Sequence, residues 1–269
     1  MTDDDMLLGR QVQGPNRYTP ELLYPIPREQ SRAELGLRGS ALPFHGEDIW
    51  HAYELSWLQD KGRPVVRLGR IHVPAQSPNL VESKSLKLYL NSLNSTEFAN
   101  QNEAATTITN DLSAVVGADV RLQLFRLDDP EFAGGALPGT CLDDETLSAE
   151  PADGPRLCSS GDTAEESLYT HLLRSLCPVT GQPDWATVWL TYKGPRIDRA
   201  SLLSYFIGFR EHQEFHEQCV ERMYMGIMAA CEPDRLEIQA LYTRRGGLDI
   251  SPWRSSEPGS APTLRLNRQ

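Results

Sequence analysis

The sequence predicts an α+β protein: antiparallel strands with helices packed against them, arranged as two similar halves. Three observations carry this. Period-two alternation, as in Val120, Leu122 and Leu124 against Arg121 and Gln123, marks half-buried strands. Stripes at i, i+4 spacing, as in Phe215, Cys219, Met223 and Ile227, mark helices with one buried face and make Cys219 a core residue. The element order then recurs on either side of an acidic stretch from Asp128 to Glu166, in which Arg156 is the only basic residue.

Residues 1–45 are rich in Pro and Arg without periodicity and read as an irregular arm over the core. A first module is expected over 46–130. Ile49 to Leu58 is aromatic-rich and Pro64 to Val73 rich in β-branched residues, so both are expected strands. Ser83 to Phe98 and Glu103 to Val116 follow as helices, and Ala118 to Leu127 as a third strand. Residues 131–166 read as a connector with one short strand around Thr140 to Leu142. In the second module, 167–269, Ala186 to Lys193 is an expected strand, Arg199 to Arg210 and Glu214 to Ala230 are helices, and Arg235 to Arg244 is a strand. An order of strand–strand–helix–helix–strand in both halves suggests tandem duplication. It rests on element order alone, without a residue-by-residue repeat.

A chain of 269 residues can bury one large core or two small ones. Its 26 Lys+Arg against 37 Asp+Glu give a formal charge of −11. That sign opposes a grip on nucleic-acid phosphates and favours a small-molecule substrate. No apolar run approaches the roughly 20 residues of a membrane span. The opening Met1-Thr2-Asp3-Asp4-Asp5 is acidic where a signal peptide would be basic. A cytoplasmic protein is expected. Cysteines 141, 158, 177, 219 and 231 are odd in number and lack CxxC spacing, which favours free thiols.

Four segments could carry chemistry. In Cys177-Pro178-Val179-Thr180-Gly181-Gln182-Pro183-Asp184-Trp185 a thiol and a carboxylate stand seven positions apart in a stretch that two prolines keep from being helical. Glu82-Ser83-Lys84-Ser85-Leu86-Lys87 opens a helix, where Ser83 or its neighbour can cap, and the first-turn amides with Lys84 and Lys87 would make an anion site. In His212-Gln213-Glu214-Phe215-His216-Glu217 the two histidines would share a helical face, a weak metal signal. Alternatively, the Glu217 carboxylate could accept two parallel bonds from the N–H edge of a guanine-like base. Arg244-Arg245-Gly246-Gly247 ends a strand with forked donors and a backbone open to phosphate. No GxGxxG, GxxxxGK[ST] or GxSxG occurs.

Together, in this order, these segments resemble the NADPH-dependent 7-cyano-7-deazaguanine reductases of queuosine biosynthesis in their long two-module form. The resemblance runs from about Leu42 onward and includes Leu42-Pro43-Phe44-His45-Gly46 and Tyr53-Glu54-Leu55-Ser56-Trp57. It implies tandem tunnelling-fold (T-fold) modules, whose antiparallel sheets, with helices outside, close a barrel on forming a homodimer. It implies Cys177 as nucleophile and Asp184 as proton donor. Leu80, Val81, Glu82, His216 and Glu217 would contact the substrate, and Ser83, Lys84, Arg245 and Gly246 would contact NADPH. The implied reaction is a four-electron reduction of a nitrile through a covalent thioimide, using two NADPH and no metal, on a free base before it meets tRNA. Two other readings stay open. A zinc-dependent pterin or GTP cyclohydrolase on the same fold would bind metal, and a purine-binding module without catalysis would turn over no NADPH.

Overall fold

The computed structural model describes residues 17–39, 41–147 and 156–269. The rest of the arm and the middle of the connector lie outside the described residues. The elements are β1 (Pro25–Pro27), α1 (Glu29–Glu34), β2 (His45–Gln59), β3 (Arg63–Pro74), β4 (Asn79–Val81), α2 (Ser83–Ser92), α3 (Gln101–Val116) and β5 (Arg121–Phe125). They continue with β6 (Thr140–Cys141), β7 (Ser159–Leu176), β8 (Pro183–Ile197), α4 (Arg199–Ile207), α5 (His216–Cys231), β9 (Arg235–Tyr242) and β10 (Leu248–Ser255).

Eight strands form one sheet in the order β5-β3-β2-β10-β9-β8-β7-β6, and β1 pairs with β4 in a small separate ribbon. Every pairing in the large sheet is antiparallel except β6 on β7. The two modules are joined through β2 and β10, in register from Leu248↔Ala52 to Ser255↔His45. Alternation assigns the two faces of the sheet. Val188, Leu190, Tyr192, Leu236, Ile238, Ala240 and Tyr242 enter the main core with the buried sides of α2 to α5, so the helices share one face. Trp189 and Leu241 point the other way, where they meet Leu137, Leu264 and Leu266.

Several expectations are corrected. The described part of the arm is not irregular: β1 and α1 bring Arg28 and Arg32 into the interior, 2 % and 8 % exposed. The acidic connector ends early, because its last residues already belong to the 18-residue strand β7, which crosses position 166. β7 supplies the missing first strand of the second half, and β10 was not anticipated. The first long helix stops at Ser92 instead of Phe98. The Ser92 hydroxyl bonds the Tyr89 carbonyl, and the chain is drawn into extended pairing by Leu58 N→Thr96 O (2.8 Å) and Phe98 N→Leu58 O (2.9 Å). α3 follows its expected course, capped by the Asn100 carboxamide oxygen at one end and by left-handed Gly117 at the other.

Candidate active site

The β7–β8 hairpin, the start of α2, the start of α5 and the β9–β10 turn enclose a cavity of about 320 Å³. Of the residues expected in the site, Cys177, Asp184, His216 and Glu217 line it, and so do Leu80, Val81, Ser83 and Lys84. Arg245 and Gly246 complete the set from the second module. Residues nearly a hundred positions apart in the chain therefore meet on one wall.

Glu82 is the exception. It is fully buried, and its two carboxylate oxygens accept the Lys84 and Ser85 backbone N–H groups at 2.7 Å each. It is the helix cap that the sequence left to Ser83 or a neighbour. This also corrects the expected anion site, since the first-turn amides are already taken by the chain's own carboxylate. Burial nevertheless outweighs those bonds and raises the Glu82 pKa above the ordinary glutamate value. As a cap it fixes the turn that carries Ser83 and Lys84.

Cys177 is buried at the end of β7. The loop behind it is closed by Cys177 N→Gln182 O and Gly181 N→Cys177 O, both 2.9 Å, with Gly181 at φ +66. Asp184 is not in a loop but on β8, opposite Ser175. Its carboxylate meets the Arg245 guanidinium in a short contact, and its other oxygen lies 3.1 Å from His216 Nε2. Burial alone would raise the Asp184 pKa, but His216 and Arg245 outweigh it and hold the carboxyl below the ordinary aspartate range. The expected proton donor is thus ionised in the free protein at neutral pH. It must receive a proton before it can give one.

His216 opens α5 and stacks on Tyr242, ring centroids 3.9 Å apart. Its Nε2, close to Asp184 but not aligned for a hydrogen bond, is a buried atom without such a partner. His212 does not share a helix with it. His212 precedes α5 in extended conformation and pairs with Glu214 at 2.9 Å, which removes the i, i+4 metal geometry.

Glu217 is 4 % exposed, and no side chain among the described residues hydrogen-bonds its carboxyl. Beneath it lies a buried charge cluster that the sequence did not reveal. Asp48 pairs with Arg28 (2.5 Å) and Arg254 (2.8 Å), and Glu221 pairs with Arg254 (2.8 Å) and Arg32 (2.7 Å). Burial, reinforced by the Asp48 charge, pushes the Glu217 pKa up to about 7. Folded chain therefore keeps a proton on Glu217 between its ordinary value of 4.5 and about 7, where unfolded chain has lost it. Stability from this group falls as pH rises through that window. Glu217→Gln is expected to raise the melting temperature at pH 8 and leave it unchanged at pH 4.5. The same substitution should weaken base binding by roughly ten- to a hundred-fold, from about 1–3 kcal/mol of donor facing donor. Calorimetry on both states checks the two halves separately.

At the fourth corner Arg245 N→Leu248 O (2.8 Å) closes a tight turn through Gly246 and Gly247, at φ +59 and +86. A Cβ on Gly246 would lie 2.6 Å from Lys87 Nζ, so this bare backbone lies directly against a lysine of α2. Lys87 lines the cavity, though the sequence marks it only as part of the anion run; Trp50 of β2 lines it too, from a stretch the sequence marks only as an aromatic-rich strand.

Residues 15–124 match the family model described as nitrile reductase, 7-cyano-7-deazaguanine-reductase N-term, and residues 183–260 match the model of QueF-like proteins. Over 265 residues, 97 % of this chain and 96 % of the relative, the chain is 51 % identical to a protein of Chromohalobacter salexigens named NADPH-dependent 7-cyano-7-deazaguanine reductase. It is 50 % identical to a protein of the same name from Stenotrophomonas maltophilia over 272 residues, covering 100 % of this chain and 99 % of that one. Matched along its whole length by these relatives and carrying both modules, the chain belongs to the 7-cyano-7-deazaguanine reductase family of nitrile reductases.

Proposed function

We propose that this chain reduces the nitrile of 7-cyano-7-deazaguanine to a primary amine with NADPH, through a covalent thioimide on Cys177, in queuosine biosynthesis. The observation that carries the reading is the convergence on one cavity of a buried thiol, an ion-paired carboxylate and a buried glutamate that no other described side chain hydrogen-bonds. Glu217 reads the N–H edge of the base, with His216 beside it and Leu80 and Val81 as apolar wall. Binding to the ionised form of Glu217 means that affinity should drop roughly ten-fold per pH unit below 7.

A nitrile carbon is a weak electrophile, and addition of sulfur divides its reduction into easier steps. Asp184, a carboxylate at the outset, accepts the Cys177 thiol proton as the C–S bond forms. It then delivers that proton to the nitrile nitrogen, which gives the thioimide without net proton uptake. NADPH, when bound, would supply the two hydrides of the four-electron change; the Cys177 thiolate would leave between them, and two further protons complete the balance. Lys84, Lys87 and Arg245 around the bare backbone of Gly246 fit the phosphates of such a cofactor, and Ser83 lies next to them.

Arg245 thereby has two anionic partners, and this yields a test. Lys84→Ala is expected to raise the KM for NADPH and leave thioimide formation without NADPH unchanged. Arg245→Gln should raise that KM as well, but it also removes the counter-charge from Asp184. The pH profile of thioimide formation should therefore move upward even without NADPH, measured by mass spectrometry of quenched samples.

The reading extends to assembly. The sheet ends in the short edge strands β5 and β6, and open edges are commonly closed by a partner. A homodimer closing a four-module barrel would do so. NADPH oxidation that depends on added 7-cyano-7-deazaguanine tests the function directly, and oxidation indifferent to the nitrile would reject it.

A further inference from the structure

The edge of the sheet farthest from β5 carries a second cluster of reactive side chains. β6 runs parallel to β7, with Thr140 opposite Leu168 and Cys141 opposite Tyr169. The chain then turns, anchored by fully buried Leu142, whose N–H donates to the Tyr169 carbonyl at 2.8 Å. This turn sets Cys141 and Asp143 against His171 of β7. One ligating atom from each of the three lies within 4.8 Å of the other two, the only such trio among the described residues.

The supporting contacts look like those behind a metal site. His171 Nδ1 is 2.8 Å from the Thr187 hydroxyl of β8, which fixes the ring and leaves Nε2 for a ligand. Asp143 Oδ1 accepts both the Thr170 hydroxyl (2.7 Å) and the His171 N–H (3.0 Å), so the carboxylate is held in place beside the Cys141 thiol. The nearby Arg268 guanidinium donates to the His171 carbonyl at 3.1 Å. A thiolate, an imidazole and a carboxylate are a donor set for zinc, with bonds of about 2.0–2.3 Å and a fourth position for water. Tetrahedral ligands at those bond lengths stand about 3.3–3.8 Å apart, within side-chain adjustment of the present spacing. The Asp143 and Asp144 carboxylates, with Arg268 opposing, leave a net negative site for a dication.

We infer that Cys141, Asp143 and His171 form a binding site for a divalent transition ion of the zinc class, which pins the β6 turn of the connector to the edge of the sheet. The site lies six residues along β7 from Cys177, roughly 20 Å in extended chain, and is separate from the chemistry.

The test uses the full chain with Cys177→Ala, so that the nucleophile does not compete for ion. After treatment with chelator, Zn²⁺ is titrated by calorimetry and Co²⁺ by absorbance. One equivalent per chain, thiolate-to-cobalt charge-transfer absorption and a raised melting temperature are expected. Cys141→Ser and His171→Gln should each weaken binding at least a hundred-fold. Thr187→Val, which touches no ion, should weaken it roughly ten- to a hundred-fold through the loss of ring orientation. No binding, or unchanged affinity in Cys141→Ser, would overturn the site. Loss in Cys141→Ser with His171→Gln and Thr187→Val unaffected would mean adventitious capture by an exposed thiol, and would overturn it too. If Cys141→Ser does not fold, His171→Gln decides the matter by the same criteria.

Discussion

Cys177→Ala is expected to abolish turnover and, with it, every covalent adduct. Substrate added without NADPH should give the unmodified chain one mass increase equal to the nitrile base, located on the peptide containing Cys177. The other thiols make this a discriminating experiment. Cys219 is wholly buried in the helix core, and burial pushes its pKa up to about 12. Cys231 is also buried, with its pKa raised to about 11. Neither offers a thiolate at neutral pH, and neither lines the cavity. Cys141 and Cys158 are exposed but lie outside the cavity as well. An adduct on any of these four would remove Cys177 from the mechanism.

Asp184→Asn comes next in size. The amide keeps the shape and can still face Arg245, but it can neither accept the thiol proton nor return it to nitrogen. Rate should fall by roughly two orders of magnitude or more, while binding of the base changes little. The pH dependence has a definite sign. Because the Asp184 pKa is depressed in the folded chain, its favourable pairing is fully present above the ordinary aspartate value of 3.8 and is lost as pH falls through the lower folded value. With base at saturation, so that the Glu217 effect on affinity is removed, thioimide formation should therefore persist into mild acid and fail below that, where Asp184 no longer accepts the proton. Wild-type turnover by Asp184→Asn would assign proton transfer elsewhere, with His216 the neighbouring group to test.

How much of this could be read from the sequence depended on where each residue finds its partners. Strands β2 and β3 are legible from their aromatic and β-branched composition, and β9 from its apolar alternation. β10 is not, since Asp249, Ser251 and Arg254 are all buried despite their polarity. Their compensation comes from distant residues: His51 for Asp249 at 2.7 Å, and Asp48 and Glu221 for Arg254. Pro252 adds a misleading break signal, although it lies just outside the stretch paired with β9, Trp253 to Ser255. β7 was hidden by its acidic, exposed beginning. There Glu166 is held by Tyr192, Arg196 and Arg199 and so belongs to the sheet, not to a linker. The loop that follows Cys177 and the Arg-Arg-Gly-Gly turn are legible as local constraints. The Asp184–Arg245 contact joins residues 61 apart, and Asp48 acts on Glu217 across the two modules; neither leaves a trace in a linear pattern.

The β2–β10 pairing has a consequence for the birth of the protein. β2 is complete once residue 59 is made, and its neighbour β10 begins only at residue 248. At ~5–20 residues per second the first half waits on the order of ten seconds or more for that strand. During that interval β2 exposes a long, aromatic-rich edge, the kind of surface that recruits chaperones or pairs with the wrong chain. Nascent chains that stall before residue 248 would carry this sticky edge permanently. Faithful production therefore hinges on the arrival of β10, even though most of the core-forming strands and helices have been made by then.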